Sequence, residues 1–261
     1  MLRADAPTQR TGLTLTLCGC WDLRVEGRPV ELGGREQRVV ALLALRGRKP
    51  RSQIAGTLWP DTTDDRALTS LRAAVLRVKR AAPGLVDVRR TTLALTPDVH
   101  LDVADLHRCA ALVGEEQALD APRAMAVLRQ ADLLPGWYED WVLFERERLQ
   151  QVRLDALESL ARREIAEGNA AHALAAAREA IAIEPLLESA HAVAIQAHLL
   201  AGNRSAAVRE YQVYRRRLRQ VLAIEPSPEL GDLLARPLIP RQATASIDLQ
   251  SRASRDLMAG T

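Results

Sequence analysis

The sequence predicts a mainly α-helical protein, in which an N-terminal winged helix-turn-helix of the α+β type precedes an all-α domain of tetratricopeptide-like repeats. Apolar residues alternate in short runs over residues 13–32 and 85–95, which is typical of strands. Between those runs, and beyond Asp102, they recur at spacings of three and four, which is typical of helices. Gly168-Asn169 recurs 34 residues later as Gly202-Asn203, which is the period of tetratricopeptide helix pairs.

Length and charge predict two domains with different partners. The 261 residues suffice for two domains. Residues 12–105 hold 15 basic and 11 acidic side chains, whereas residues 106–240 hold 16 and 19. A basic N-terminal part joined to a mildly acidic C-terminal part fits a nucleic-acid-binding module followed by a protein-binding module. The predicted segments are a flexible tail (1–11), a winged helix domain (12–101), a helical activation domain (102–240) and a disordered tail (241–261).

Composition argues against several other classes of protein. No apolar run approaches the roughly 18 residues of a membrane span, and no signal sequence is recognisable, so we expect a cytoplasmic, nucleoid-associated protein with no membrane partner. Three cysteines do not make a disulfide framework, and no Cys or His spacing suits a metal. The five histidines are scattered, and no nucleophile motif occurs. We therefore expect no enzyme activity, no cofactor and no metal.

The N-terminal elements follow from periodicity and from turn residues. Short antiparallel strands end at Gly33-Gly34, and Ser52 is a plausible N-cap for the second of three helices. Thr62, Thr63 or Asp64 can cap the third helix, and Pro83-Gly84 closes it. The remaining predicted bounds are a first helix over Arg35–Leu45, a third helix over Asp64–Arg80, and hairpin strands over Leu85–Arg89 and Thr92–Leu95.

The third helix carries the strongest functional signal. Its large apolar residues Leu68, Leu71, Val75 and Val78 make one buried stripe. Arginine and hydroxyl side chains on the other side suit the edges of bases and the phosphates of a major groove. A solvated basic face is the alternative for an isolated helix of this kind. The residues opposite the stripe are Arg66, Thr69, Ser70, Ala73, Arg77 and Arg80, with Arg72 and Lys79 on the flank.

The order sheet, three helices and hairpin favours DNA binding over that alternative. These parts make a winged helix-turn-helix, in which the third helix reads the groove. The hairpin tip, formed by Arg89, Arg90 and Thr91, would then lie near a phosphate backbone. We therefore predict that double-stranded DNA is the ligand of this domain.

The rest of the chain predicts packed helices. Bounds of 102–112, 122–134 and 140–167 fit the first three helices, and the repeat pairs follow. Trp137, Tyr138, Trp141 and Phe144 are interpreted as packing at a helix corner, with a ligand cage as the alternative. An arginine run over residues 215–219 is either a solvated helix end or a second contact for DNA or polymerase.

The chain resembles the SARP family, the antibiotic regulatory activators of actinobacteria, which join an OmpR-like winged helix to a bacterial transcriptional activation domain. The resemblance covers about residues 13–240 in the family's order. One departure is that many members have Asn where Leu68 or Thr69 stands, so base preference is not carried over. The matching motifs are Leu58-Trp59-Pro60-Asp61, Leu68-Thr69-Ser70-Leu71-Arg72, Leu76-Arg77, Leu133-Leu134-Pro135-Gly136-Trp137 through Trp141, Glu145-Arg146-Glu147-Arg148-Leu149 and Ile183-Glu184-Pro185.

This resemblance implies a function for both domains. Such a protein binds direct repeats in promoter DNA, associates with itself there, and recruits RNA polymerase holoenzyme to antibiotic biosynthetic genes. No GxxxxGK[ST] motif occurs, so we expect the form without an ATPase module. The alternative function is a helical-repeat adaptor that binds only protein, its N-terminal domain having lost affinity for DNA.

Overall fold

The computed structural model of the chain describes residues 12–113, 119–130 and 132–235. Both predicted tails, 1–11 and 241–261, lie outside the described residues. The strands are β1 (Leu13–Thr16), β2 (Asp22–Val25), β3 (Arg28–Pro29), β4 (Lys49–Pro50), β5 (Val86–Val88), β6 (Thr92–Leu95) and β7 (His100–Leu101). The helices are α1 (Gly34–Arg46), α2 (Arg51–Leu58), α3 (Asp64–Ala81), α4 (Asp102–Val113), α5 (Ala121–Leu128), α6 (Asp140–Glu167), α7 (Ala170–Ile183), α8 (Glu188–Leu200), α9 (Arg204–Leu222) and α10 (Pro228–Ala235).

The first sheet has the strand order β3-β2-β1-β7. Strands β1 and β2 are antiparallel, whereas β7 pairs with β1 in parallel after the chain has passed through the three helices and the hairpin. Leu13, Leu15 and Leu17 are buried while the residues between them are half-buried, as period-two alternation requires. The first strands are therefore as predicted, except that β3 covers Arg28–Pro29 and excludes Val30 and Leu32.

A second sheet, of order β4-β6-β5, closes the N-terminal module. Strand β4 lies between α1 and α2, and Lys49 and Pro50 pair with Leu93 and Thr92 of β6. This pairing corrects the predicted start of the second helix, because Pro50 becomes its N-cap residue and Ser52 lies inside the helix. A long-range strand pair thus fixes a boundary that local capping residues place two positions later.

The helical domain begins with α4, α5 and the long α6, whose bounds match the predicted range of 140–167. Helix α5 ends at Leu128, although a helix to residue 134 was predicted. Arg153 of α6 donates from Nε to the Leu128 carbonyl at 3.1 Å, and so satisfies an acceptor at the end of α5. The chain then turns back to the first sheet, where the Leu134 amide donates to Leu17 at 2.8 Å. Extension toward β1 therefore replaces the last turn of helix.

The predicted repeat is present as two successive helix pairs. Gly168 and Gly202, at φ values of 84° and 72°, make the two equivalent turns in a conformation that glycine adopts readily. Ala173 and Ala207 are fully buried where neighbouring helices approach. Ile183-Glu184-Pro185 recurs 41 residues later as Ile224-Glu225-Pro226, which exceeds the 34-residue repeat by seven and predicts a later helix about two turns longer. Helix α9 has 19 residues and α7 has 14, so the observed difference is five residues.

One hydrophobic core runs through the N-terminal module and the start of the helical domain. Trp141, Val142 and Leu149 of α6 belong to the same buried cluster as β1 and α3. Trp137 stacks on Trp21, with ring centroids 6.1 Å apart. The interpretation of the aromatic cluster as packing is correct for Trp137 and Trp141. It is wrong for Tyr138 and Phe144, whose rings are exposed.

Polar contacts reinforce this shared core. The Glu145 side chain is 6% exposed and accepts from Arg46 of α1 at 2.7 Å and from Arg148 at 3.1 Å. Arg146 donates to the carbonyls of Leu133, Leu134 and Trp137 at 2.9–3.2 Å. Two motifs that were recognised separately in the sequence therefore contact each other. The predicted fold class, an N-terminal winged helix-turn-helix followed by helical repeats, is confirmed.

Candidate nucleic-acid interface

Helix α3 is held by one side against the N-terminal core. Leu71, Ala74 and Val78 are fully buried, and Ala67 and Val75 nearly so. Leu68, which was predicted to lie in the buried stripe, is only half-buried. Two alanines, which a count of large apolar residues ignores, thus belong to the packed side. Close helix packing favours small side chains at such positions.

These alanines change which residues face solvent. At 100° per residue, the observed buried side is rotated by roughly 40° from the predicted stripe. The centre of the exposed side therefore follows Thr69, Ala73, Leu76 and Arg80, with Leu76 51% exposed. Arg72 and Lys79 lie on one flank, as predicted, whereas Arg66, Ser70 and Arg77 move to the other flank.

Arg77 has a partner inside the protein. Its Nε donates to Oε1 of Glu36 at 2.5 Å, and the Glu36 side chain is 7% exposed while that of Arg77 is 51% exposed. The carboxylate lies against Gly33, where an added Cβ would come within 2.5 Å of Oε2. A side chain at position 33 would therefore require this carboxylate to shift. Arg77 compensates a buried charge and still presents half of its side chain to solvent.

The other predicted cations of α3 have no internal partner. Arg66, Arg72, Lys79 and Arg80 are exposed and make no ion pair among the described residues. The Thr69 hydroxyl donates to the Asp65 carbonyl at 2.8 Å, so its side chain offers a methyl group rather than a free donor. Ser70 and Ala73 are half-buried. Four cations with solvent-exposed charge thus remain available for a ligand.

The two ends of α3 differ in charge. Asp64 and Asp65 stand in its first turn, whereas Lys79 and Arg80 stand in its last. This arrangement is favourable for the helix dipole. It also places repulsion toward phosphate at the start of the helix, so the electropositive surface begins at Arg66 and strengthens toward the C-terminal half.

The hairpin between β5 and β6 places its predicted tip residues at the surface. Arg89, Arg90 and Thr91 are all exposed. The Arg51 amide donates to the Thr91 carbonyl at 3.0 Å, which fastens the tip to the start of α2. Asp87 accepts from Arg48 at 2.5 Å, and this hydrogen bond holds the pKa of the Asp87 carboxyl below its usual value.

The two arginines of the hairpin tip differ in their ion pairs. Arg89 pairs with Asp87 at 3.3 Å, while Arg90 makes no ion pair among the described residues. Asp87, the only anion between Arg66 and Arg90, is thus already compensated by Arg48 and Arg89. The hairpin tip carries little net repulsion toward a polyanion.

Sequence reasoning missed one residue of this surface, Leu76. A stripe drawn through Ala67 and Ala74 as well as the large apolar residues would have placed Leu76 opposite it. No group of His, Cys, Asp and Glu that could hold a metal occurs within the described ranges. Burial, aided by Asp102, raises the pKa of Cys18 to about 12, so this thiol is not a nucleophile.

A helix-and-hairpin module with a basic exposed helix, fused to stacked helix pairs, defines the class of helical-repeat transcription regulators. Residues 101–236 match the family model for the bacterial transcriptional activator domain, and the chain belongs to that family. The sequence is similar to the regulatory protein AfsR of Streptomyces coelicolor, with 26% identity over 236 residues. The alignment covers 85% of this chain and 24% of AfsR, so the chain spans about a quarter of that relative.

A solved structure has the same fold. EmbR of Mycobacterium tuberculosis, determined in complex with a low-affinity phosphopeptide, superposes with a TM-score of 0.70 at 20% identity, over 95% of this chain and 70% of that one. The resemblance to SARP-type regulators that the motifs indicated is confirmed, and the family is one of transcriptional regulators rather than of enzymes. None of the helices within residues 12–113, 119–130 and 132–235 has the length and hydropathy that a bilayer crossing requires.

The ion pair of Arg77 leads to a prediction that separates two roles. Arg77→Ala leaves the Glu36 carboxylate buried without its partner, and we expect the free energy of unfolding to fall by about 1 kcal/mol. If Arg77 also contacts a base, specific DNA binding weakens by about 1–3 kcal/mol. Glu36→Gln is the matched control, because it removes the same ion pair and keeps the guanidinium. An unchanged affinity of folded Arg77→Ala for the cognate promoter fragment would reject the base contact.

Proposed function

We propose that the chain is a sequence-specific DNA-binding transcriptional activator, with a DNA-binding domain over residues 12–101 and an activation domain over residues 102–240. The observation that carries this proposal is the exposed side of α3, where Arg66, Arg72, Lys79 and Arg80 lack partners among the described residues. Free guanidinium and ammonium groups on an exposed helix suit phosphates and base edges. The proposed interface comprises Arg66, Thr69, Ser70, Arg72, Ala73, Arg77, Lys79 and Arg80 of α3 with Arg89, Arg90 and Thr91 of the hairpin.

The helical domain is proposed to bind protein, and RNA polymerase holoenzyme is the partner that the family suggests. Support comes from the C-terminal half of α9, where Val213, Val221 and Leu222, followed by Ile224, are 45–61% exposed. Arg216 and Arg217 lie among them and have no ion pair in the described part of the chain. Exposed aliphatic groups rimmed by charge are typical of protein-binding surfaces.

The resemblance to antibiotic regulatory activators extends the proposal to its targets. We propose that two copies associate on direct repeats in promoters of a secondary-metabolite cluster, at the nucleoid in the cytoplasm. Footprinting upstream of the neighbouring gene cluster tests this part. Protection of one isolated site, instead of two sites in direct repeat, would contradict the proposed association on DNA.

The salt dependence of DNA binding tests the central proposal. Neutralising about six phosphates predicts a slope of roughly −5 for the logarithm of the binding constant against the logarithm of salt concentration. Arg72→Ala and Lys79→Ala should each make the slope shallower by about one, and should weaken binding to cognate and random DNA about equally. Arg178→Ala is the matched control, because it removes an exposed arginine of α7 that has no ion pair among the described residues and lies outside both proposed interfaces.

The same titration separates the activator from a protein-only adaptor. An adaptor leaves promoter fragments unbound even at low ionic strength, where non-specific attraction to a polyanion is strongest. Binding that is weakened as much by Arg178→Ala as by Arg72→Ala would show that α3 is not the contact surface.

A further inference from the structure

Leu76 is the feature of α3 that the proposed interface leaves unexplained. It is 51% exposed and is the only large aliphatic residue of this helix with that much exposure. The other large aliphatic residues of α3 are buried or half-buried, on the opposite side. A single exposed leucine is common on protein surfaces. Its position among the unpartnered cations, at the centre of the exposed side, is what indicates a role.

Leu76 completes an apolar line along α3. Thr69, Ala73 and Leu76 follow one another at spacings of four and three, so they share one line on the helix surface. The Thr69 hydroxyl is engaged by the Asp65 carbonyl at 2.8 Å, which leaves the γ-methyl as the free part of that side chain. The methyl groups of Thr69 and Ala73 and the isobutyl group of Leu76 thus follow one another along the centre of the exposed side of α3.

Cations flank this line on both sides. Arg72 and Lys79 lie along one flank and Arg66 along the other, and none has an ion pair among the described residues. Asp64 and Asp65 disfavour phosphate at the N-terminal end. If the phosphates of a duplex contact these cations, its major groove faces the apolar line between them. The groove then lies closest to the C-terminal half of α3, which is more basic and contains Leu76.

We propose that Leu76 is a specificity-determining residue that contacts the 5-methyl group of a thymine in the major groove. This inference rests on the proposed DNA-binding function. In the major groove the bases present hydrogen-bonding atoms and one apolar group, the thymine methyl. A leucine cannot satisfy the hydrogen-bonding atoms, so burying it against them costs free energy, whereas a methyl group complements it. The interface therefore reads one thymine through Leu76, and the neighbouring cations fix its register.

A methyl-deletion cycle tests this inference on the full chain. DNA is first selected from a random pool, and each thymine of the selected site is then replaced by deoxyuridine, which lacks only the 5-methyl group. For the unmodified protein we expect one position per half-site at which this replacement lowers affinity about fourfold, the value for one buried methyl-sized group. Leu76→Ala should bind the thymine and deoxyuridine versions of that position equally.

The possible outcomes distinguish a failure of the thymine contact from a failure of the proposed DNA-binding function. If the protein selects a site but no deoxyuridine replacement changes its affinity, the thymine contact is refuted while DNA binding stands. If a methyl effect persists unchanged in Leu76→Ala, another residue carries it, and the role of Leu76 is refuted. If the random pool yields no enriched site, the proposed DNA-binding function itself fails. Arg178→Ala, carried through the same cycle, should keep the full methyl effect.

Discussion

Leu71→Ala should destabilise the N-terminal module by about 2–5 kcal/mol. Leu71 is fully buried and belongs to the core that joins β1, α3 and the start of α6. Truncation removes buried methyl groups and leaves a cavity that the close-packed surroundings fill only in part. Denaturant unfolding followed by circular dichroism measures the effect as a lower midpoint with an unchanged slope.

The same helix supplies the control for this prediction. Leu76→Ala makes the identical change of side chain five residues later, where Leu76 is 51% exposed. We expect its free energy of unfolding to stay within about 0.5 kcal/mol of the unmodified protein. Equal effects of the two substitutions would mean that the buried side of α3 is assigned incorrectly. A stable Leu76→Ala protein also ensures that its DNA binding is measured on a folded molecule.

Glu145→Ala should cost about 3 kcal/mol and loosen the contact between the two parts of the chain. Glu145 lies in α6 and accepts from Arg46 of α1, whose side chain is 24% exposed. Removing one member of a buried ion pair leaves the other charge poorly compensated, at a cost of about 3–5 kcal/mol when both are fully buried. The partial exposure of Arg46 places the expected value at the lower end.

Glu147→Ala is the matched control, since Glu147 stands two residues later in the same helix and is exposed. Both substitutions replace glutamate with alanine in a helix interior, so differences in helix propensity cancel. Limited proteolysis provides a second measure of the contact between α1 and α6. If Glu145→Ala loosens this contact, the segments between the two helices are cleaved faster in Glu145→Ala than in Glu147→Ala. If the two variants unfold at the same denaturant concentration, the buried ion pair does not hold the parts together.

This junction has a functional consequence under the proposed function. The N-terminal module and α6 share one core, and the Trp21 and Trp137 rings stack across the boundary. A partner that binds the helical domain is therefore held at a fixed orientation to α3. The last strand ends at Leu101 and the helices of the second part begin at Asp102, while packing continues across this point.

Elements with strong local periodicity were predictable from the sequence. The bounds of α6 and the turns at Gly168 and Gly202 came directly from apolar spacing and from the repeat. Elements whose ends depend on distant partners were less predictable. Helix α5 ends early because the chain returns to β1, and α2 starts early because β4 pairs with β6.

Some features of the candidate DNA interface were likewise predictable from the sequence, and others were not. The sequence identified α3 and the hairpin tip, because a run of cations on a periodic helix is a local property. It did not reveal that Arg77 pairs with Glu36, a residue 41 positions away. Nor did it place Leu76 at the centre of the exposed side, since the side that packs is chosen by neighbouring elements as well as by the helix itself.

By itself the sequence determined the order and type of the elements, the repeat, and the helix that carries the positive charge, because each depends on residues within a few turns of one another. Only the tertiary structure decided how α3 is rotated, which of its cations remain free, and that one core joins the two parts. Those features depend on packing volume and on charge compensation between distant segments. Ala67 and Ala74 fit where α3 meets its neighbours, and that fit leaves Leu76 exposed.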